Sequence, residues 1–182
     1  MKHHIVLDIG HANGTGARGN GKEEHAGCVP IVKLVAQKLR KKGHTVTVID
    51  FPTSTNAVDL NKTIQAANKL GSVSIGISFH MDASSNASAH GGHVCYISTS
   101  GKKAAEIIAG ELCEYMPGRA QKTVRRTNLG VLKRTKWRWV LIELGFITNK
   151  YDVKKLFDDP NTAQNELEPL VNTVVDGILK AI

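Results

Sequence analysis

Short apolar runs alternate with longer stretches of helical periodicity along most of this chain. In residues 3–9 the apolar positions are nearly continuous, which is typical of a buried strand, whereas in 28–42 they recur every three to four residues. The same criteria predict strands at 3–9, 44–50, 73–79, 93–98, 129–133 and 138–143, and helices at 28–42, 56–70, 102–115 and 163–181. Strands that alternate with helices indicate βαβ units. We therefore predict a three-layer α/β sandwich with a largely parallel, twisted sheet of about six strands.

Chain length and composition add one expectation about domains and one about partners. The 182 residues are enough for one substantial core, and no Pro- or Ser-rich stretch or repeat marks a linker. We expect a single domain over residues 1–182. The formal charge of +8 favours an anionic partner, such as nucleic acid or another acidic polymer. An equally good explanation of the basic run 38–42 is that it solvates a helix end and favours its dipole.

The first residues and the cysteines bear on location. Residues 1–8 run directly into the first predicted strand, with no apolar segment long enough for a signal peptide or a membrane span. We expect synthesis in the cytoplasm without membrane insertion. Cys28, Cys95 and Cys113 are odd in number and have no close pair, which argues against a disulfide framework and a cysteine metal site.

Four polar side chains lie next to or inside the apolar runs that predict strands and helices. His11 and His80 each follow a predicted strand, where α/β proteins collect their functional groups, and Glu24 lies in the loop before the first helix. Glu143 lies inside an apolar run, where a carboxylate is costly to bury without a cation or a donor. Taken singly, each of the first three has an ordinary explanation as a loop, strand-end or helix-start residue. For Glu143 that explanation would be a buried ion pair with Arg134 or Arg138.

Together these side chains match a catalytic metal site. Two imidazoles and one carboxylate can hold Zn²⁺ with a position left open, and a further carboxylate can move protons. Asp8, three residues before His11, could accept a hydrogen bond from a ligand imidazole and fix its tautomer, although a simple strand-end cap explains it equally well.

Four segments resemble the motifs of the zinc-dependent N-acetylmuramoyl-L-alanine amidases of bacterial wall-remodelling enzymes and phage endolysins. They are LDIGH at 7–11 with GARG at 16–19, the glutamate before the first helix, SFHMD at 78–82, and ELGFITN at 143–149. The resemblance implies that His11, Glu24 and His80 bind one zinc ion and that Glu143 is the catalytic carboxylate. Spacing to Gly43 favours Glu24 over its neighbour Glu23 as the ligand. Thr63 is a departure, since the resemblance places an arginine there.

The resemblance also implies a substrate and a setting. The expected reaction is hydrolysis of the amide between N-acetylmuramic acid and L-alanine in peptidoglycan, by a monomer that binds no nucleic acid. We expect no separate wall-binding domain. A phage or prophage lysis enzyme, which reaches the wall after release by a holin or by lysis, fits the absence of an export signal best.

Three other functions compete with this hypothesis. A protein of the same fold could bind peptidoglycan without cutting it. The glycine loop 14–22 matches the dinucleotide pattern G-x-G-x-x-G and part of a phosphate loop, although Glu23 stands where the phosphate loop needs Ser or Thr. His93 and Cys95, two residues apart on a predicted strand, could form a nucleophile pair, although a buried thiol beside a histidine is the commoner arrangement.

Overall fold

The computed structural model describes residues 1–157 and 167–182. The described elements are, in chain order, β1 (His4–Ile9), β2 (Arg18–Gly19), β3 (Lys22–Glu23), α1 (Glu24–Lys41), β4 (Thr45–Ile49), α2 (Asn56–Lys69), β5 (Ile75–Asp82), β6 (His93–Tyr96), α3 (Thr99–Tyr115), β7 (Thr123–Arg125), α4 (Gly130–Arg134), β8 (Trp139–Phe146), α5 (Lys150–Leu156) and α6 (Leu167–Ala181). Helices α2 and α3 begin where hydroxyl caps accept from backbone amides, Thr55 from Val58 and Ser98 from Gly101.

Six of the described strands form one sheet in the order β4-β1-β5-β8-β6-β7. Strands β4, β1, β5 and β8 are mutually parallel, whereas β6 runs antiparallel to β8 and parallel to β7. The prediction of a largely parallel sheet of about six strands in an α/β fold is confirmed. The carboxyl ends of β1, β5 and β8 meet at one edge, which is where open α/β sheets bind ligands.

Helices cover both faces of the sheet. On one face, Ile5, Leu7, Ile77 and Ile142 belong to a core that includes buried residues of α1, α3 and α6. On the other face, Val6, Trp139 and Leu141 belong to a smaller core that includes residues of α2 and α4. Side chains alternate between these two cores along each strand, as the pleat requires.

Several boundaries differ from the sequence prediction. Helix α1 begins at Glu24, four residues before the predicted start at 28. Pro30 lies inside this helix. The predicted strand 129–133 is wrong, because Gly130–Arg134 is the short helix α4. Strand β7 and helix α5 were not predicted, and β5 and β8 extend three residues further than expected. The predicted start of the last helix at 163 lies outside the described residues.

Within residues 1–157 and 167–182, no helix combines the length and the hydropathy that a membrane span requires.

Candidate metal centre

Three side chains from separate parts of the sequence converge at the carboxyl edge of the sheet. One ligand atom from each of His11, Glu24 and His80 can be chosen so that all three lie within 4.8 Å of one another. His11 Nε2 lies 3.4 Å from Glu24 Oε2, and His80 Nδ1 lies 3.0 Å from Glu24 Oε1. The two imidazole rings meet edge to face with their centroids 4.9 Å apart.

His11 is held in place by an uncommon backbone conformation and by Asn56. Its φ angle of 64° lies in the left-handed region, where residues other than glycine are rare and often functional. Its Nδ1 lies 2.8 Å from Asn56 Oδ1 at the start of α2. Because an amide oxygen can only accept, this contact places the imidazole proton on Nδ1. Nε2, which faces Glu24, is thereby left with its lone pair.

Glu24, only 2% exposed, is the first residue of α1. Its Oε1 accepts from the Met81 amide at 3.0 Å, and its Oε2 accepts from the Ala17 amide at 2.6 Å. A Cβ atom at Gly16 would lie 2.7 Å from Oε2, so only glycine leaves room for this carboxylate. Its neighbour Glu23 faces the glycine loop instead, where it accepts from the Gly14 amide at 2.6 Å.

His80 lies within β5 and is packed against Gly10. A Cβ atom at Gly10 would come within 2.2–2.6 Å of three ring atoms, so the site requires glycine there. Ser78 Oγ lies 3.4 Å from His80 Nε2 and donates to Asp8, which also accepts from Thr63 Oγ1 at 3.1 Å. Of the two explanations for Asp8, the direct bond to an imidazole is absent among the described residues, and Asp8 reaches His80 through Ser78.

The pKa values of His80 and Glu24 are shifted in opposite directions, because the two side chains are hydrogen-bonded to each other. Burial alone would lower the pKa of His80, but the hydrogen bond to Glu24 and the charges of Glu143 and Glu24 raise it to about 9. Burial alone would raise the pKa of Glu24, but His80 and His11 hold it below its usual value. The carboxylate is therefore ionised and needs a positive charge beside it.

Glu143 lies beside this cluster without belonging to it. It is paired in register with His80 on one neighbouring strand and with His93 on the other. Its Oε2 is buried and has no hydrogen-bond partner among the described residues. Arg134 and Arg138 donate elsewhere, to Asn61 and to the Ser74 carbonyl. Burial, with the charges of Asp82 and Glu24, raises the pKa of Glu143 to about 7.

A second polar group flanks Glu143 on the β6 side. Arg119 donates to Asp82 at 2.8 Å and to His93 Nδ1 at 2.9 Å. Burial and the charges of Arg119 and Arg126 lower the pKa of His93 to about 4, so this imidazole is neutral. Cys95 lies 3.5 Å from His93, but burial raises the pKa of its thiol to about 12. A neutral thiol is a poor nucleophile, which argues against the Cys-His pair.

The glycine loop 14–22 does not form a phosphate site. Strands β2 and β3 pair as a hairpin whose turn, Asn20-Gly21, has positive φ at both residues, as a type I′ turn requires. The helix that follows begins with an acidic residue, which would repel a phosphate. The nucleotide-binding alternative is thus disfavoured.

Sequence reasoning missed Asn56, Ser78 and Arg119. Asn56 follows the α2 cap, where an asparagine looks like an ordinary helix-start residue. Ser78 differs from its buried neighbours on β5 by being polar, and that could have marked it. Arg119 lies outside helices and strands, and nothing near it in the sequence connects it to this site.

Comparison with known proteins agrees with this geometry. The sequence profile of the N-acetylmuramoyl-L-alanine amidases, Amidase_3, matches residues 5–179. The chain belongs to the N-acetylmuramoyl-L-alanine amidase family. It is 31% identical over 160 residues to the N-acetylmuramoyl-L-alanine amidase LytC of Bacillus subtilis, which covers 84% of this chain and 31% of LytC.

Two further relatives of this amidase-family chain extend the comparison. It is 30% identical over 178 residues to the probable cell wall amidase LytH of Staphylococcus saprophyticus, covering 96% of this chain and 56% of LytH. The chain thus spans less than two thirds of the curated relatives it matches. The catalytic domain of the CD27L endolysin targeting Clostridia difficile superposes with a TM-score of 0.85 at 27% identity, covering 98% and 97% of the two chains.

Three properties of this amidase-family cluster suit a zinc ion. Two imidazoles and one carboxylate are the donor set of a catalytic zinc site with an open position. Gly10 leaves space for His80 and Gly16 leaves space for Glu24, and a Cβ atom at either glycine would occupy that space. Glu24 is buried and ionised, so a cation in the cluster would neutralise it.

Proposed function

We propose that this protein is a zinc-dependent hydrolase that cuts the amide between N-acetylmuramic acid and L-alanine in peptidoglycan. The observation that carries the proposal is that Glu143, whose buried Oε2 has no hydrogen-bond partner among the described residues, lies one strand away from a cluster of three possible metal ligands. Membership of the amidase family supports the choice of bond. The net charge of +8 suits the acidic polymers of a bacterial wall.

In this proposal His11 Nε2, His80 Nδ1 and Glu24 hold the metal. Zinc, when bound, supplies Lewis acidity, which lowers the pKa of water and polarises a carbonyl. Asn56 keeps the His11 proton on Nδ1, and Ser78 with Asp8 orients the His80 ring. The protein groups thus fix which imidazole nitrogens face the metal.

Glu143 moves the proton. A carboxyl group whose pKa is near 7 can accept a proton from the attacking water and release it again at neutral pH. The accepted proton passes to the amide nitrogen, because an unprotonated amine anion is a very poor leaving group. Since Oε2 has no partner among the described residues, no hydrogen bond to those residues competes for the proton.

The similarity to the catalytic domain of an endolysin supports a role in phage or prophage lysis. We propose that the chain acts as a phage or prophage lysis enzyme on the wall, as one protomer. Amidase activity on purified walls does not depend on that setting.

The decisive experiment follows the products of purified peptidoglycan and uses Glu143→Gln. Wild-type protein loaded with zinc should release new L-alanine amino termini without new reducing sugars. Glu143→Gln keeps size and polarity but loses basicity, so it should retain zinc and lose about 10²–10⁴-fold of the rate.

Two outcomes would contradict the proposal. Near-wild-type turnover by Glu143→Gln would remove that residue from the mechanism. A zinc-loaded wild-type protein that sediments with wall material but releases no amino termini would instead support a peptidoglycan-binding module of the same fold.

A further inference from the structure

A cavity of about 500 Å³ shares a wall with the metal cluster. His11, His80 and Glu143 line it together with residues of the sheet and of helices α2 and α4, among them Asp8 and Asp59. Its volume is within the usual range of small-ligand pockets. Asp59 and the apolar residues of α2 and α4 that line the cavity have no role in the proposed reaction.

Asp59 is the unusual residue among these. It is only 4% exposed, and its Oδ1 has no hydrogen-bond partner among the described residues. The helix dipole favours an acidic residue in the first turn of a helix. An exposed carboxylate would have the same favourable interaction with the dipole without the cost of desolvation. The dipole therefore explains the residue type and leaves the burial unexplained.

A second residue that lines the same cavity also has a buried oxygen without a partner among the described residues. Among the described residues, three buried side-chain nitrogen or oxygen atoms lack a partner, and they belong to Asp59, Glu143 and Trp139. Asp59 and Glu143 both line the cavity. Buried polar groups in native proteins are nearly always hydrogen-bonded, so two free acceptors on one cavity indicate a missing donor.

Two cationic side chains of α2 and α4 make their contacts away from Asp59. Lys62 contacts Ser54 and the ring of Phe51, and Arg134 donates to Asn61. Burial and the charges of Asp8 and Asp50 raise the pKa of Asp59 to about 6, which still leaves it mostly ionised at neutral pH. The cavity wall at Asp59 is thus negative without a compensating cation from those side chains.

Most of the remaining lining surface is apolar, although Asn56, Thr63 and Ser78 also contribute. The larger apolar side chains include Leu60 of α2, Val131 of α4 and Leu141 of β8. A small metal ion would leave most of this volume unfilled and the apolar walls without contacts. A hydrocarbon chain that ends in a charged donor matches both the apolar walls and the carboxylates.

We propose that this cavity is a subsite for a protonated alkylamine, whose ammonium group faces Asp59 and Asp8 and whose chain lies against Leu60, Val131 and Leu141. If the proposed function holds, the amine belongs to the substrate. The side chain of a diamino acid in the stem peptide and a deacetylated amino sugar both carry such a cation. The apolar walls favour the diamino acid, because a sugar would place hydroxyl groups against them.

The first test measures binding of n-butylammonium to the zinc-loaded protein by calorimetric titration, with n-butanol as its neutral counterpart. Asp59→Asn should weaken n-butylammonium binding by about 10–100-fold, since charged hydrogen bonds of this kind contribute that much. Asp176→Asn makes the same change on the exposed face of α6 and should leave the affinity unaltered. Butanol should bind no variant measurably.

The second test introduces an ammonium group into the cavity by substitution. Thr63 lies one helical turn after Asp59 and lines the same cavity, so Thr63→Lys places an ammonium group near Asp59 and Asp8. This variant should melt at a higher temperature than wild type and should no longer bind n-butylammonium. The Asp59→Asn measurement remains decisive if Thr63→Lys does not fold.

Competing occupants give distinct results. Nα-acetyl-lysine amide should bind in a manner that depends on Asp59, and glucosamine binding as tightly would overturn the alkylamine assignment. Equal n-butylammonium affinity in wild type and Asp59→Asn, or butanol binding equal to that of n-butylammonium, would overturn the subsite. A second zinc equivalent that Asp59→Asn removes would identify a metal site instead. Because these measurements need no turnover, their failure is distinct from failure of the proposed amidase activity.

Discussion

Two glutamates at the candidate site, Glu24 and Glu143, have opposite surroundings. Glu24 accepts hydrogen bonds from the Met81 and Ala17 amides and from His80, so its pKa is held low and its position is fixed. Glu143 Oε2 has no such partner, and its pKa is raised to about 7. The same side chain is thereby suited to holding a cation at one position and to exchanging a proton at the other.

Glu143 should make the stability of the zinc-free protein depend on pH. Its folded-state pKa of about 7 exceeds the usual 4.5, so the stability due to its proton is present below pH 4.5 and lost as the pH rises through about 7. Relative to wild type, Glu143→Gln should gain up to about 3 kcal/mol in free energy of unfolding across that interval. Urea unfolding at several pH values measures the difference, and a constant difference would refute the raised pKa.

Asn56 should matter for the metal although it is no ligand. Asn56→Ala frees the His11 imidazole to place its proton on Nε2, so zinc affinity should fall about 10–100-fold. Asn56→Asp keeps the acceptor and should restore most of the affinity. Asn61→Ala removes an exposed asparagine of the same helix whose side chain accepts from Arg134, and competition with a zinc chelator should find the zinc affinity of this variant unchanged.

At the level of elements, hydrophobic patterning predicted the sheet better than its short connections. The runs that became β1, β5 and β8 are largely apolar because helices bury both of their faces, whereas the edge strand β4 is only partly buried. Residues 129–133 are a short apolar run in which helix and strand cannot be told apart by period, and tertiary packing of Val131 and Leu132 decided for a helix. Strand β7 has three residues and pairs only with β6, so its sequence carries little pattern.

Gly10, in the turn that follows β1, packs against the His80 ring and should be essential for zinc binding. Gly10→Ala would place a methyl group within 2.6 Å of the His80 ring, so the ring must move and zinc retention should fall severalfold or more. Gly110→Ala offers a matched control inside α3, where nothing lies within 4 Å of the new methyl. It should leave zinc content unchanged and raise stability by about 0.5–1 kcal/mol. Equal zinc content in both variants would argue that His80 is not a ligand.

For the molecule as a whole, the sequence indicated which residues form the site but not how they are supported. His11, Glu24, His80 and Glu143 could be selected because each breaks an apolar pattern or lies in a recognisable motif. Asn56 and Asp59 could not, because their importance depends on how α2 lies over the sheet. That placement follows from long-range packing, which local patterns do not encode.

Zinc removal should lower the stability of the entire fold. The candidate ligands come from the β1 turn, α1 and β5, so the proposed metal joins three elements that are distant in sequence. At free zinc 100-fold above its dissociation constant, binding contributes about 2.7 kcal/mol, or about 5–10 °C in melting temperature for a chain of this size. Calorimetry with and without a chelator checks this. A melting temperature insensitive to zinc would contradict binding to the folded state.

The strand order has a consequence for how the protein is made. Strand β8 carries Glu143 and lies between β5 and β6, both of which precede it in the chain. A ribosome therefore releases all three candidate metal ligands long before the strand that separates β5 from β6 emerges. A nascent or prematurely terminated chain ending before residue 143 contains the proposed ligands but lacks the carboxylate proposed to move protons. In the proposed mechanism, the capacity to cut the wall is therefore acquired only after β8 has been synthesised and has taken its place between β5 and β6.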